Sequence, residues 1–231
     1  MLIRYRFSKD GDAKYLSHLD LLRVFDRAVR RADLPIEYSK GFNPRPKISF
    51  GPALAVGISG SGEYADMEFS DKIDPRETME ILNLQMPLGL TILKTVEIPV
   101  GSPSITALIV KAEYEIRCPF AENCCREEDL AQVIKKFLCL EQIMVEKRTK
   151  KGMRLKNIRR GIYSLKGKIK DNGIYLHMLL QLNPSGSVTP DDVLKGMRKN
   201  LYLPGDWGAK DIKRIRLLSE DSSGSKTSML P

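Results

Sequence analysis

The apolar residues of "LIRYRF" (2–7) fall at every second position, the period of a strand with one buried face. The period changes at "SHLDLLRVFDRAVRRA" (17–32). There Leu22, Phe25, Val29 and Ala32 recur at helical spacing, and Arg23, Arg27, Arg30 and Arg31 take the other side. Ser17 supplies an N-cap, and Asp20, three residues on, completes a capping box. "KISFGPALAVGI" (47–58) and "EYADMEF" (63–69) read as strands joined by a flexible "SGSG" (59–62). "DPRETMEILNLQM" (74–86) is a helix opened by Asp74 and Pro75, and "LTILKTVEI" (90–98) is a last strand. The order is βαββαβ.

The second half repeats this order without repeating the residues. "ALIVKAEYEI" (107–116) predicts a strand and "REEDLAQVIKKFLCL" (126–140) a helix. "IMVEKR" (143–148) and "GIYSLKGKIK" (161–170) are extended, and "GIYLHMLLQL" (173–182) follows across a "DNG" turn. "TPDDVLKGMRKNL" (189–201) is a helix with Thr189 as cap, and "DIKRIRLL" (211–218) closes the unit. The pattern predicts an α+β protein of two tandem ferredoxin-like (βαββαβ) modules, residues 1–100 and 106–220, joined near "GSPS" (101–104). The polar end, "SEDSSGSKTSMLP", predicts a disordered tail over 221–231.

At 231 residues and 42% hydrophobic, the chain can build one large core or two small ones. Its apolar runs are too short to span a bilayer, and the N-terminus lacks a signal peptide's apolar core, so no membrane partner is expected and the protein is placed in the cytoplasm. Cys118, Cys124, Cys125 and Cys139 contain no CxxC pair, so no metal site and no cofactor are expected.

Charge adds a second distinction between the halves. Residues 1–100 hold 14 Lys/Arg against 14 Asp/Glu, whereas residues 101–231 hold 24 against 15 and carry the whole net charge of +9. Within "KRTKKGMRLKNIRRGIYSLKGKIK" (147–170) there are 11 basic residues and no acid. Positive charge this concentrated points to a polyanion, most often nucleic acid. Lys147, Arg148, Lys150, Lys151, Arg154, Lys156, Arg159 and Arg160 are the candidate nucleic-acid contacts. Tyr163 is the one aromatic among them, which favours contacts to the phosphate backbone over base stacking.

A second basic stretch, "SKGFNPRPKISF" (39–50), is neither helix nor central strand, because two prolines lie within three residues. Gly41 permits unusual torsions, Asn43 can bond its own backbone, and the prolines stiffen the chain. A rigid loop displaying Arg45 and Lys47 suits an anionic ligand. The plainer alternative is a stiff turn with Phe42 plugged into the core. Neither GxxxxGK[ST], HExxH nor GxSxG occurs. Of the two histidines, His18 falls just inside the first helix, where it could serve as an acid or base if a partner lies within reach. The length of the 33–47 connection allows the loop to run back along the helix and set Asn43, Arg45 and Lys47 beside His18 in one polar pocket.

The stretch 15–69, with its SHLD, RA-x-RRA, LP-x-x-YS-x-GFNP-x-PK and EY-x-D elements, closely resembles the radical SAM-linked protein family of bacteria. "KKGMRLKNIRRGI" and "GSVTPDDVLKGM" resemble that family's second-half motifs, although the family has Asp and Pro where this chain has Asn157 and Arg160. The family is a domain of unknown function, fused to or encoded beside cobalamin-binding-type radical SAM proteins. The resemblance therefore implies such a protein as partner. Family genes often lie near those for a ribonuclease and ribosomal proteins, which implies an RNA context. This chain lacks the CxxxCxxC cluster a radical SAM enzyme needs for its iron–sulfur centre. Carried over residue by residue, the candidate ligand site is His18, Asp20, Arg23, Asn43, Arg45, Lys47, Tyr64 and Asp66. The favoured reading is a non-catalytic companion of a radical SAM enzyme that binds RNA or another anionic substrate. The alternative is a metal-independent endoribonuclease resembling the CRISPR repeat-processing enzymes, with His18 as acid or base and Arg45 or Lys47 stabilising the phosphorane.

Overall fold

The computed structural model describes residues 1–119, 126–149, 152–170, 173–183, 186–200, 211–220 and 226–228. It is an α+β chain that divides into two compact units, Met1–Val110 with Arg214–Pro231, and Lys111–Lys213. The division falls after Val110 and not at the predicted 101–104 linker, and the chain returns to the first unit from Arg214.

The first unit contains β1 (Leu2–Lys9), α1 (His18–Arg31), β2 (Ile48–Phe50), β3 (Ser59–Glu68), α2 (Pro75–Gln85), β4 (Leu90–Ile98) and a single turn, α3 (Ile105–Leu108). Its strands lie in the order β2-β3-β1-β4, each pair antiparallel. Ile3, Tyr5 and Phe7 alternate onto the buried face of β1 and pack with Ala65, Met67 and Ile92 against Phe25, Val29 and Leu82 of the helices. The capping box forms as its spacing predicts. The Asp20 backbone N–H donates to the Ser17 hydroxyl at 3.2 Å, and the Ser17 N–H donates back to the Asp20 carboxylate at 3.4 Å.

Two expectations in this unit are corrected. The strand predicted over 47–58 survives only as Ile48–Phe50, because Gly51–Pro52 ends it and proline has no N–H for the ladder. The "SGSG" of 59–62 is not a flexible joint but the first part of β3. Space there is tight: a Cβ on Gly60 would sit 2.7 Å from the Glu63 carboxylate, and one on Gly62 would sit 3.1 Å from Arg6 Nε.

The second unit contains β5 (Ile109–Pro119, from Lys111), α4 (Glu127–Cys139), β6 (Met144–Thr149), β7 (Gly152–Asn157), β8 (Ile162–Lys170), β9 (Gly173–Asn183), β10 (Gly186–Ser187) and α5 (Pro190–Asn200). β11 (Asp211–Glu220) begins here and, from Arg214 on, belongs to the first unit beside β3. β8, β9 and β5 are neighbours in an antiparallel sheet, while β6 and β7 form a separate hairpin. Leu130, Ile134 and Phe137 of α4 and Val193, Leu194 and Met197 of α5 are buried with Leu176, Met178 and Leu180 of β9. Gly167 lets α4 approach β8, since a Cβ there would stand 2.8 Å from Ile134.

The predicted strand over 107–116 gives its first two residues to α3, whose Ala107 N–H is capped by the Ser104 hydroxyl at 3.3 Å. The tail departs from expectation as well. β12 (Lys226–Ser228) pairs antiparallel with Leu218–Glu220. The rest of the predicted disordered tail, Cys124, Cys125 and the first two residues of the "DNG" turn lie outside the described residues. Among the described residues no helix is long and apolar enough to cross a membrane.

Candidate functional site

In the first unit the candidate ligand residues separate into three places. His18, the first residue of α1, is exposed, and its ring meets Phe50 edge-on with centroids 5.8 Å apart. The narrow cleft beneath it is lined by Phe7, Lys9, Leu21, Phe50, Glu63 and Tyr64, among others, and holds about 20 Å³. That is room for roughly one water, far below a ligand pocket's several hundred cubic ångströms. Asp20 faces Ser17 and Arg23. The Ser17 hydroxyl bond first, and then Arg23 at 3.2 Å, hold its carboxyl below the usual carboxylate value.

Beneath the cleft the charges are already satisfied. Arg214 grips the Glu63 carboxylate through Nε at 2.8 Å and through a second guanidinium nitrogen, which also donates to the Pro52 carbonyl at 2.8 Å. Lys9 donates to the Leu16 carbonyl at 2.7 Å, and burial pushes its pKa down against the pull of Glu63. Asp66 is buried in a two-point bond with Arg4, both contacts at 2.8 Å, and Tyr64 is buried beside it. These two predicted ligand residues are therefore interior.

The "GFNPRPK" segment is a finger at the other end of α1. Tyr38 and Pro46 form a bridge, the Ser39 N–H donates to the Arg45 carbonyl at 2.8 Å, and the Arg45 N–H returns to the Ser39 hydroxyl at 3.0 Å. Tyr38 at its foot lies under the Arg30 guanidinium, 5.8 Å from ring centroid to carbon. Arg30 is about 18 Å along the helix from His18 at 1.5 Å per residue. The finger closes on itself and does not fold back along α1, so the structure does not gather Asn43, Arg45 and Lys47 with His18. Lys47 turns to Glu68 at 3.1 Å. Asn43 and Arg45 are exposed, and so is Phe42, at 106% relative exposure. The alternative of Phe42 in the core is thus also corrected.

In the second unit several of the basic residues lie on the β6–β7 hairpin. Cross-strand partners Val145 with Lys156 and Lys147 with Arg154 share one face, and Glu146 with Leu155 and Arg148 with Met153 share the other. Val145 is buried, whereas Arg154 on the same face is exposed. Lys147 lies 3.7 Å from the buried Asp192 carboxylate, and Lys156 donates to the Ser187 carbonyl at 2.8 Å. Burial, and then the neighbouring Lys147, lower the Lys156 pKa. Arg159 donates to the carbonyls of Leu138 and Ile162 at 2.9 and 3.3 Å, closing the C-terminus of α4. These three are structural cations. Arg148, Arg154 and Arg160 are exposed and bonded to nothing among the described residues. Lys150 and Lys151 lie outside those residues.

A family model described as "Uncharacterized protein conserved in bacteria (DUF2344)" matches residues 2–190, most of both units. The chain belongs to that family. The matched span takes in both the finger and the basic hairpin and ends as α5 begins. No curated protein matches the chain. Among solved structures it is similar to a chain in a crystal structure of a Cbf5–Nop10–Gar1 complex, with a TM-score of 0.53 and 12% identity. The likeness covers 96% of this chain and 51% of the other, so the family member spans about half the length of that neighbour. At this identity the likeness is one of fold.

Among the described residues no group of three or more His, Cys, Asp or Glu gathers as metal ligands would. The Glu63–Arg214 pair escaped the sequence reading because its members are 151 residues apart. The inward turn of Lys147 had a signal, namely its period-2 relation to apolar Val145.

Proposed function

We propose that the protein is a non-catalytic, cytoplasmic companion of a radical SAM enzyme that holds RNA through its second unit. One observation carries the RNA reading. Arg148, Arg154 and Arg160 stand exposed without acidic partners among the described residues, in a segment that contains 11 basic residues and no acid. Free guanidinium groups bind phosphate oxygens in two-point fashion and release counterions as they do so. The enzyme partner rests on the resemblance of residues 15–69 to the radical SAM-linked proteins. The fold that carries these surfaces is read as two tandem ferredoxin-like modules. The β2-β3-β1-β4 order of the first unit supports this, as does the element order β5, α4, β8, β9, α5 in the second, with the β6–β7 hairpin inserted and the start of β11 following.

The endoribonuclease alternative has less support. The one side-chain interaction of His18 among the described residues is the ring contact with Phe50, so no group stands ready to exchange a proton with it. A fluorescent 20-nucleotide single-stranded RNA incubated with the protein and a chelator separates the two readings. Retention of intact RNA is expected. Cleavage that disappears in His18→Ala would replace the companion with the nuclease. A radical SAM protein recovered with the tagged chain from its native host is expected as well, and its absence would remove the enzyme partner while leaving the RNA surface.

A further inference from the structure

Phe42 is the most exposed large apolar side chain in the described residues, and the finger that carries it is braced. Reciprocal Ser39–Arg45 bonds, the Tyr38–Pro46 bridge and the Lys47 N–H bond to the Glu37 carbonyl at 2.8 Å hold its two arms together. Gly41, at φ 138, makes the turn that sets the ring outward. Pro44 and Pro46 lower the freedom of the unbound loop. A stiff loop that leaves a phenylalanine in water forgoes the stabilisation that burying it would contribute. The same segment carries Lys40 and Arg45, before and after Phe42 in the chain, both exposed and with side chains that have no partner among the described residues.

We infer that the Phe42 finger is a base-stacking subsite for a single-stranded nucleic acid, with Lys40 and Arg45 taking the phosphates that flank the stacked base. The inference rests on the RNA reading above and adds a second contact, in the first unit, of a different kind. The occupant follows from the chemistry of the tip. Its neighbours in the chain are Lys40, Gly41, Asn43, Pro44 and Arg45, none of them a large apolar residue. A stable protein interface buries about 1,200 Å² or more around an apolar core, which one ring among cations does not provide. An unpaired base needs only one aromatic face and neighbouring positive charge. A duplex hides its base faces within the stack, so the site selects single strands.

The test uses the full chain and a fluorescein-labelled 12-nucleotide oligo(A), single-stranded and as its duplex, read by anisotropy. Phe42→Ala is expected to weaken single-strand binding between about fivefold and a hundredfold, with an unchanged salt slope, because stacking releases no counterion. Phe42→Trp is expected to restore affinity and to show fluorescence quenching on binding. Neither substitution touches a buried contact, so both proteins are expected to melt like the parent. The duplex is expected to be indifferent to both. Three outcomes overturn the inference. Phe42→Ala with parental affinity, while Arg148→Ala/Arg154→Ala/Arg160→Ala loses binding, leaves the RNA reading standing and removes the stacking site. A parent chain that binds no single strand removes both. A photo-crosslinker at position 42 that captures protein instead of the oligonucleotide reassigns the finger to a protein contact.

Discussion

The two units use the same charged residue types in opposite ways. In the first, Arg4, Lys9 and Arg214 are 5%, 2% and 1% exposed, and their charges are spent on Asp66, Glu63 and backbone carbonyls. In the second, Arg148, Arg154 and Arg160 stand in water with no partner among the described residues. Only the second arrangement leaves a cation available to an incoming anion. The contrast teaches that net charge locates a binding surface only after buried pairs are removed from the count. It predicts that the buried cations Arg4, Lys9 and Arg214 govern stability, and that exposed Arg148, Arg154 and Arg160 govern affinity.

The largest effect expected is on Arg214. Arg214→Ala strands the Glu63 carboxylate in the interior and should cost about 3–5 kcal/mol in urea unfolding. A double variant, Glu63→Met with Arg214→Leu, should recover much of that loss, because a buried pair can be replaced by packed apolar side chains. If Arg214→Ala unfolds at the parental midpoint, the interior role of the pair is wrong. The mirror experiment is Arg148→Ala/Arg154→Ala/Arg160→Ala. Its stability should lie within about 0.5 kcal/mol of the parent, as for exposed side chains, while affinity for single-stranded RNA at low salt falls more than about tenfold. A loss of stability comparable to that of Arg214→Ala would erase the distinction between the units.

Much of the fold was legible in the chain because its signals are local. Ser17 and Asp20 are three residues apart, and β4 covers the predicted 90–98 to the residue. Long-range pairs were not legible. Glu63 meets Arg214 through the return of β11 to the first unit, and no periodicity announces that return. The "SGSG" of β3 misled for a related reason, since its glycines answer to crowding by Glu63 and Arg6 and not to a need for flexibility. For the candidate site, composition marked 147–170, but long-range partners such as Asp192, the Ser187 carbonyl and the Leu138 carbonyl decided which of its cations are held. The shared pocket with His18 failed because a closed finger holds its own hydrogen bonds more locally than a loop running back along α1 could.

Smaller effects sharpen the comparison on the side of stability. Ser17→Ala removes the α1 cap and should cost about 1 kcal/mol without altering RNA affinity. The acid limb of the stability curve carries a related signature. Asp20 ionises below its usual 3.8 in the folded chain, chiefly through the Ser17 hydroxyl. Its contribution is therefore full above that value and is lost as pH falls through the lowered folded one. Thermal melts across this range should show Ser17→Ala with a shallower acid loss than the parent. Equal slopes would assign the acid sensitivity elsewhere.

The central claim is that the free arginines of the second unit bind phosphate. It is tested most directly by titrating a 20-nucleotide single-stranded RNA at several salt concentrations between about 50 and 200 mM. The parent is predicted to lose affinity steeply with salt, and the Arg148→Ala/Arg154→Ala/Arg160→Ala protein should show a log–log slope shallower by about 2, from three lost contacts at about 0.7 each. Binding indifferent to salt, or a variant with the parental slope, would contradict it.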